Sequence, residues 1–405
     1  MTDSWLDTPE HTGFGLENLP FGVVVPADGV PQIAIAIGDR AFPLGAATEA
    51  GLFDTVLSDA GILTAPNLDR LLAAGPAGWR AVRSRATELL GDRAHAGAVR
   101  PLLLRLDAVS NPLPFTVADY ADFYSSREHA ENLGRIFRPD SAPLLPNWTH
   151  LPIGYHGRAG TVVVSGTPIV RPHGQRLPAP GAEPVFGPSI KLDIEAEVGF
   201  VVGVPTRLGQ SVSVDEFSGH VFGAVLVNDW SARDIQAWEY QPLGPFLGKS
   251  FATSVSPWIV PLDALAEARV APPRQDPAPL PHLAGDHWGY DLSLRVELNG
   301  TTVSRPPFAG LYWTAAQQLA HMTSNGASLR TGDLFASGTV SGPEPDQRGS
   351  FIELTWNGAE PLRLDDGSTR GFLADGDTVV LSGSAPGPGG TRIGFGAVTG
   401  TIHSR

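Results

Sequence analysis

The sequence contains no cysteine. That absence excludes disulfides, thiolate metal sites and a cysteine nucleophile. Lysine is nearly absent as well: of 28 basic Lys and Arg residues, only Lys191 and Lys249 are lysine. No apolar run approaches membrane-spanning length, so a membrane is not an expected partner. The opening Met1-Thr2-Asp3-Ser4-Trp5 has no basic region followed by an apolar stretch. No secretory signal is read there, and the cytoplasm is the expected location. Positive charge is in deficit, with a formal net charge of -14. An acidic chain repels nucleic acid and anionic lipid, so neither is expected as a partner. A cleft for an anionic substrate must then be locally positive.

What is present suits a turn-rich globular protein. The chain has 405 residues, of which 42% are hydrophobic. That length exceeds what one core usually organises, so two domains are expected. Gly 47 and Pro 37 have no period, which excludes a collagen-like chain. Many turns between short apolar runs predict a mainly β fold of the α+β kind. Strands are expected at Phe21 to Val25, Ile33 to Ile37, Thr161 to Val164, Leu192 to Val204, Gly223 to Val227, Tyr290 to Leu298, Phe351 to Trp356 and Thr378 to Leu381. Asn67 is placed to cap a short helix ending at Gly75-Pro76. A longer helix follows, with Trp79, Val82, Leu89 and Leu90 at helical spacing. The Pro-containing stretch Asp107 to Pro114 sets the expected boundary, giving domains 1–114 and 115–405. The Pro-rich segment Ala266 to Asp286 reads as a surface loop.

Some familiar signals fail on inspection. Gly394-Phe-Gly396 with Gly400 resembles a dinucleotide fingerprint, but its third glycine comes one place late and no βαβ unit can follow. There is no GxSxG elbow and no GxxxxGK[ST] loop, so serine hydrolysis and NTP use lack support.

The strongest chemical signal is Lys191-Leu-Asp193-Ile-Glu195-Ala-Glu197-Val-Gly-Phe200. In a strand the even positions Leu192, Ile194, Ala196, Val198 and Phe200 form a core face. The odd positions carry Lys191, Asp193, Glu195 and Glu197. Glu195 and Glu197 would stand roughly 6–7 Å apart on one face. A solvated strand face is the plain explanation; a bound divalent cation is the competing one. A second cluster, Asp119 to Ala130, reads as a turn entering a helix, with Asp122 and His129 two turns apart on one face if the helix spans both. A third, Val225 to Gln236, reads as an apolar strand ending at Asp229 and a helix starting near Ser231. Arg233 and Gln236 then share a helical face. Asp122, Glu195, Glu197 and Asp229 make an all-oxygen set that suits calcium, magnesium or manganese rather than zinc. Lys191 would share the strand face with the glutamates, and Lys249 follows the Asp229 segment.

These segments resemble the fumarylacetoacetate hydrolase family. The resemblance is carried by Asp122-Phe-Tyr-Ser-Ser-Arg-Glu-His129, Leu145-Pro-Asn-Trp148, Gly154-Tyr-His-Gly-Arg158 and Asp193-Ile-Glu-Ala-Glu197. Asn228-Asp-Trp-Ser-Ala-Arg-Asp-Ile-Gln236, Gly244-Pro-Phe-Leu-Gly-Lys-Ser-Phe-Ala-Thr253 and Gly338-Thr-Val-Ser-Gly342 extend it. Leu16 to Gly22 and Arg392 to Gly396 fit at the two ends. The resemblance implies a small SH3-like amino-terminal barrel, then a mixed β-sandwich roll, working as a homodimer. It implies hydrolysis of 4-fumarylacetoacetate to fumarate and acetoacetate, the last step of tyrosine and phenylalanine degradation. By position, Asp122, Glu195, Glu197 and Asp229 would hold Ca2+. Asp229, Lys249 and Thr253 would surround Mg2+, with Lys249 contributing its backbone carbonyl, since an ammonium cannot ligate a metal. Tyr124, Arg138, Tyr155, Gln236, Tyr240 and Thr339 would contact the small diketo-acid substrate.

Cleaving a carbon–carbon bond between two carbonyls needs an activated water, a stabilised oxyanion and a sink for the leaving carbanion. His129 is the expected base, and the resemblance implies Glu353 as the partner that orients it. Arg233, Gln236 and Lys249 are the expected oxyanion donors. A metal would hold the leaving group as an enolate. The alternative within the family is an acylpyruvate or related diketo-acid hydrolase, decarboxylase or isomerase. A diacid-binding protein without chemistry is a further alternative, though it would have no need of a base.

Overall fold

The computed structural model describes residues 4–6, 8–9, 12–27 and 29–405. Met1 to Asp3, part of the opening read for a signal, lie outside the described residues. Two sheets organise the chain. The larger runs, edge to edge, through Leu104–Arg105, Arg40–Pro43, Gln32–Ile37, Phe21–Pro26, Trp258–Pro261, Val221–Asp229, Ala196–Val202, Leu334–Ala336, Tyr120–Phe123 and Gly154–His156. The strand Phe21–Pro26 pairs antiparallel with Trp258–Pro261, so the amino-terminal strands extend the central sheet. The second sheet orders Thr301–Ser304, Ser293–Leu298, Thr378–Pro386, Val398–His403 and Ile169–Val170.

Burial explains why these segments pair. Val198, Phe200, Ala224 and Leu226 of the first sheet meet Leu294, Val296, Leu381 and Val398 of the second in one core. Gly383 and Gly400 let the sheets close up: a Cβ on them would lie 2.9 Å from Leu226 and 2.3 Å from Trp230. A second core holds Phe21, Ile33, Ile35 and Phe42 against Trp79, Val82, Leu89 and Leu90 of the helix Gly75–Gly91. Among the described residues no helix is long and apolar enough to cross a membrane. Mixed sheets with short helices confirm the mainly β, α+β expectation.

Several sequence expectations change. The run Leu192 to Val204 is two strands, Leu192–Asp193 and Ala196–Val202, broken at Ile194 and Glu195. Phe351 to Trp356 is not a strand but a short helix, Phe351–Leu354. Asp193 captures its first amides, accepting from Phe351 N at 2.7 Å and Ile352 N at 3.0 Å, and a short apolar run does not distinguish helix from strand. Asp122 and His129 do not share a helix. Asp122 lies in the strand Tyr120–Phe123, and Ser126 caps the helix Arg127–Phe137 by accepting from His129 N. Asn67 accepts from Asp69 N at a helix Asp69–Leu72, while Gly75-Pro76 opens the next helix. The helix after Asp229 starts at Arg233, two residues later than expected.

Candidate active site

One end of the large sheet gathers the acidic residues. Asp122 sits opposite Tyr155 and Ala336 in the strand register. Asp229 closes the strand Val221–Asp229 and sits opposite Thr253. Glu197 lies on the antiparallel neighbour, opposite Val227. Asp122, Glu195, Glu197 and Asp229 each offer an oxygen within 4.8 Å of the others, and all four are buried. The solvated-face explanation therefore fails, because Asp193, Glu195 and Glu197 are 0–4% exposed.

Buried carboxylates this close need compensating charge. Lys249 Nζ supplies some, donating to Glu195 Oε2 and, at 2.7 Å, to Asp229 Oδ2. Thr253 Oγ1 donates to Asp229 Oδ1 at 2.8 Å, and Tyr155 OH to Asp229 Oδ2 at 3.2 Å. Arg233 pairs with Asp193 at 2.8 Å and with Glu195 at 2.8 Å. Burial alone would raise the Glu195 carboxyl, but Lys249 and Arg233 override it and hold it below the usual range. Burial pushes Asp122 well up, reinforced by Asp229, and Glu197 well up, reinforced by Asp122 and Glu195. Asp122 Oδ1 and both carboxylate oxygens of Glu197 are buried without a hydrogen-bond donor. Hard oxygen atoms, buried and unpartnered, are what a divalent cation would satisfy. The donor set thus fits a hard divalent metal.

Beside the carboxylates opens a cavity of about 320 Å³, lined by His129, Tyr124, Arg138, Gln236, Tyr240 and Thr339 among others. His129 Nδ1 lies 2.7 Å from Glu353 Oε2, and its Nε2 lies 3.7 Å from Glu195 Oε1. Glu353 is locked by Ser350 at 2.7 Å, Ser341 at 3.0 Å and Asn132 at 3.0 Å. Burial opposes its ionisation, yet His129 and these donors hold its carboxyl below the usual range. Arg233 donates to Gln236 Oε1 at 3.1 Å, which leaves the Gln236 amide NH2 for the cavity. Arg138 Nε and Thr339 Oγ1 are buried and unpartnered. The cavity thus combines a fixed imidazole, cationic donors and unsatisfied polar groups, in an acidic protein.

The comparisons with known proteins agree with this geometry. The family described as "Fumarylacetoacetate (FAA) hydrolase C-terminal" matches residues 119–403, and "Fumarylacetoacetase N-terminal" matches residues 17–114. The fumarylacetoacetase of Arabidopsis thaliana is 47% identical, covering 99% of this chain and 98% of its own. That of Homo sapiens is 45% identical, covering 98% of each chain. The chain belongs to the fumarylacetoacetate hydrolase family. A solved structure, fumarylacetoacetate hydrolase from psychrophilic Exiguobacterium antarcticum, superposes with a TM-score of 0.55 at 16% identity. It covers 96% of this chain and 100% of its own, a likeness of fold.

Within this family member, every residue singled out for catalysis, substrate or metal contact lies in or against one region. Asp229, Thr253, Lys249 and Tyr155 also line an adjoining cavity of about 290 Å³. Glu197 and Glu353 line neither cavity and sit behind the residues that do. Lys191 belongs elsewhere: its Nζ donates to Asn357 Oδ1 at 2.8 Å and stands over the Phe372 ring. The backbone turns at Ile194 and Glu195, so Lys191 cannot stay on the glutamates' face. Sequence reasoning missed the structural task of Asp193, which fixes Arg233 and the Glu353 helix together. It also missed Asn132, although three-residue spacing from His129 on one helix carried the signal. Ser341 and Ser350 left no signal.

Proposed function

We propose that this chain is a fumarylacetoacetase, splitting 4-fumarylacetoacetate with water into fumarate and acetoacetate. The observation that carries the reading is the buried His129–Glu353 pair facing a cavity that also holds four clustered carboxylates and cationic donors. The near full-length likeness to proteins named fumarylacetoacetase supports the same substrate.

The residues divide the work as follows. Glu353 accepts from His129 Nδ1–H, which leaves Nε2 as the basic nitrogen. His129 takes a proton from water as the oxygen attacks the carbonyl. Arg233, Lys249 and the Gln236 amide donate to the oxyanion. The carbon–carbon bond then breaks, and the leaving carbon takes back a proton. Arg138, with Tyr124, Tyr155, Tyr240 and Thr339, binds and orients the substrate, the guanidinium meeting a carboxylate. Asp122, Glu195, Glu197 and Asp229 would hold a divalent ion, which would supply Lewis-acid stabilisation of negative charge on oxygen. We assign that ion as Ca2+, and Mg2+ to the neighbourhood of Asp229, Thr253 and the Lys249 backbone. Lys249 Nζ acts beside the ions as a counter-charge, not as a ligand.

The finer architecture belongs to the same reading: domains 1–114 and 115–405, an SH3-like amino-terminal barrel, and a homodimer. These rest on the family resemblance. A substrate panel tests the function. Turnover of fumarylacetoacetate at least tenfold above acylpyruvates supports the reading; preference for an acylpyruvate replaces it.

A further inference from the structure

Far from the carboxylates, three arginines converge. In the helix Gly75–Gly91, Trp79, Val82 and Ala86 point into the core. Arg80 and Arg83, three apart, follow one another on a common face. Facing them across a cleft is Arg269, stacked over Trp288 at 4.0 Å from the ring centroid. The cleft encloses about 120 Å³, with Phe21, Trp79, Phe222 and Leu262 as apolar walls and Ser218 among its polar lining. Asp263 is the acid in its lining. Among the described residues, Arg80, Arg83 and Arg269 form no ion pair within 4.0 Å. Arg83 donates to the Glu17 carbonyl, but its Nε is buried with no partner. Burial presses the Arg83 guanidinium below its ordinary pKa, only partly countered by Asp263 and Glu17.

Three guanidiniums without an ion-pair partner around a small cavity, with Asp263 as the acid in its lining, leave an excess of positive charge. In a chain of net charge -14 that arrangement is unexpected unless something negative completes it. Guanidinium forks suit carboxylate and phosphate oxygens. We propose that this cleft binds a small oxyanion, a phosphate or a short carboxylate, held by Arg80, Arg83 and Arg269. The anion would tie the helix Gly75–Gly91 to the strand Arg269–Val270, and so stabilise the join between the amino-terminal and carboxy-terminal parts of the chain. This proposal does not depend on the catalytic reading.

The test is saturable stabilisation by fumarate and by inorganic phosphate, measured by thermal unfolding and calorimetric titration at fixed ionic strength. Arg138→Ala protein is used throughout to weaken anion binding in the catalytic cavity, and any binding that remains there is unaffected by changes at Arg83 and Arg269. We expect one or both anions to raise the melting temperature saturably, and the tighter binder identifies the source. Arg83→Gln with Arg269→Gln should weaken binding by at least about tenfold, the loss of charge-assisted hydrogen bonds. Arg269→Gln alone, at an exposed position, should weaken binding while leaving the unliganded melting temperature near wild type. Stabilisation no greater than with matched chloride overturns the proposal. So does binding that the double variant leaves unchanged.

Discussion

His129 Nδ1 meets Glu353 Oε2 at 2.7 Å across 224 positions of chain. Neither residue could hold this geometry alone. Glu353 is fixed by Ser341, Ser350 and Asn132, and its helix is fixed by Asp193. Because Glu353 does not line the cavity, it acts through His129. Glu353→Gln should lower kcat about 10²–10⁴-fold with KM little changed, as loss of an orienting carboxylate does. His129→Ala should fall in the same range. The double variant should be no slower than the worse single one, since the pair works as a unit. Additive losses would separate the two roles.

The carboxylate cluster predicts how metal and pH interact. Asp122 and Glu197 are pushed well above the usual carboxylate range by burial, reinforced at Asp122 by Asp229 and at Glu197 by Asp122 and Glu195. Their protonated forms are favoured in the fold, so their contribution to metal-free stability is complete below the unfolded pKa and lost as pH rises through the raised folded value. Metal competes with those protons and removes the loss. The melting-temperature gap between metal-loaded and chelated protein should therefore widen from about pH 5 to about pH 8. At 100 times its Kd, metal adds about 2.7 kcal/mol. A gap that narrows with rising pH contradicts the assignment.

Asp122→Asn separates charge from structure in the same cluster. It replaces a carboxyl that the metal-free fold favours protonated with a neutral side chain that needs no proton, so the chelated variant should be more stable than chelated wild type at neutral pH. Its stabilisation by Ca2+ or Mg2+ should shrink. Thermal unfolding with and without metal checks both effects, and a variant less stable in chelator but fully responsive to metal would contradict the ligand role.

Arg233 is buried between Asp193 and Glu195. Removing one partner of such a set leaves uncompensated charge. Arg233→Met should destabilise the protein by about 3–5 kcal/mol, read from the denaturant midpoint, in addition to its effect on turnover. A loss under about 1 kcal/mol would mean that Asp193 is satisfied by its backbone donors alone.

Arg138 carries the prediction for substrate binding. Its Nε is buried in the cavity wall without an acceptor, while its other contact is the Pro143 carbonyl. Arg138→Ala should lower kcat/KM about 10–100-fold, the value of a charge-assisted hydrogen bond. Unchanged kcat/KM would place the substrate carboxylate elsewhere.

Much of this site was legible because strand alternation survives burial. Leu192, Ile194, Ala196, Val198 and Phe200 all enter the core as the period predicts. The same pattern, read as one straight strand, misplaced Lys191, because the break at Ile194 and Glu195 is held by Asp193, which also accepts from the distant Phe351 N, and by Asn228, which accepts from Glu195 N across 33 positions of chain. Asp122 and His129 line the same cavity, but one comes from a strand and the other from the start of the following helix, not from one helix face. The Glu353 helix was unreadable because its amides are captured by an aspartate 158 positions earlier. Local periodicity carries faces; it does not carry such long-range capping.

The most direct measurement follows the disappearance of fumarylacetoacetate with the purified, metal-loaded protein, after chelation, and after Ca2+ or Mg2+ is restored. Rapid loss of substrate that chelation abolishes and metal recovers, yielding fumarate and acetoacetate, is the predicted result. Fumarylacetoacetate left intact by metal-loaded protein, or hydrolysis indifferent to chelation, would contradict it.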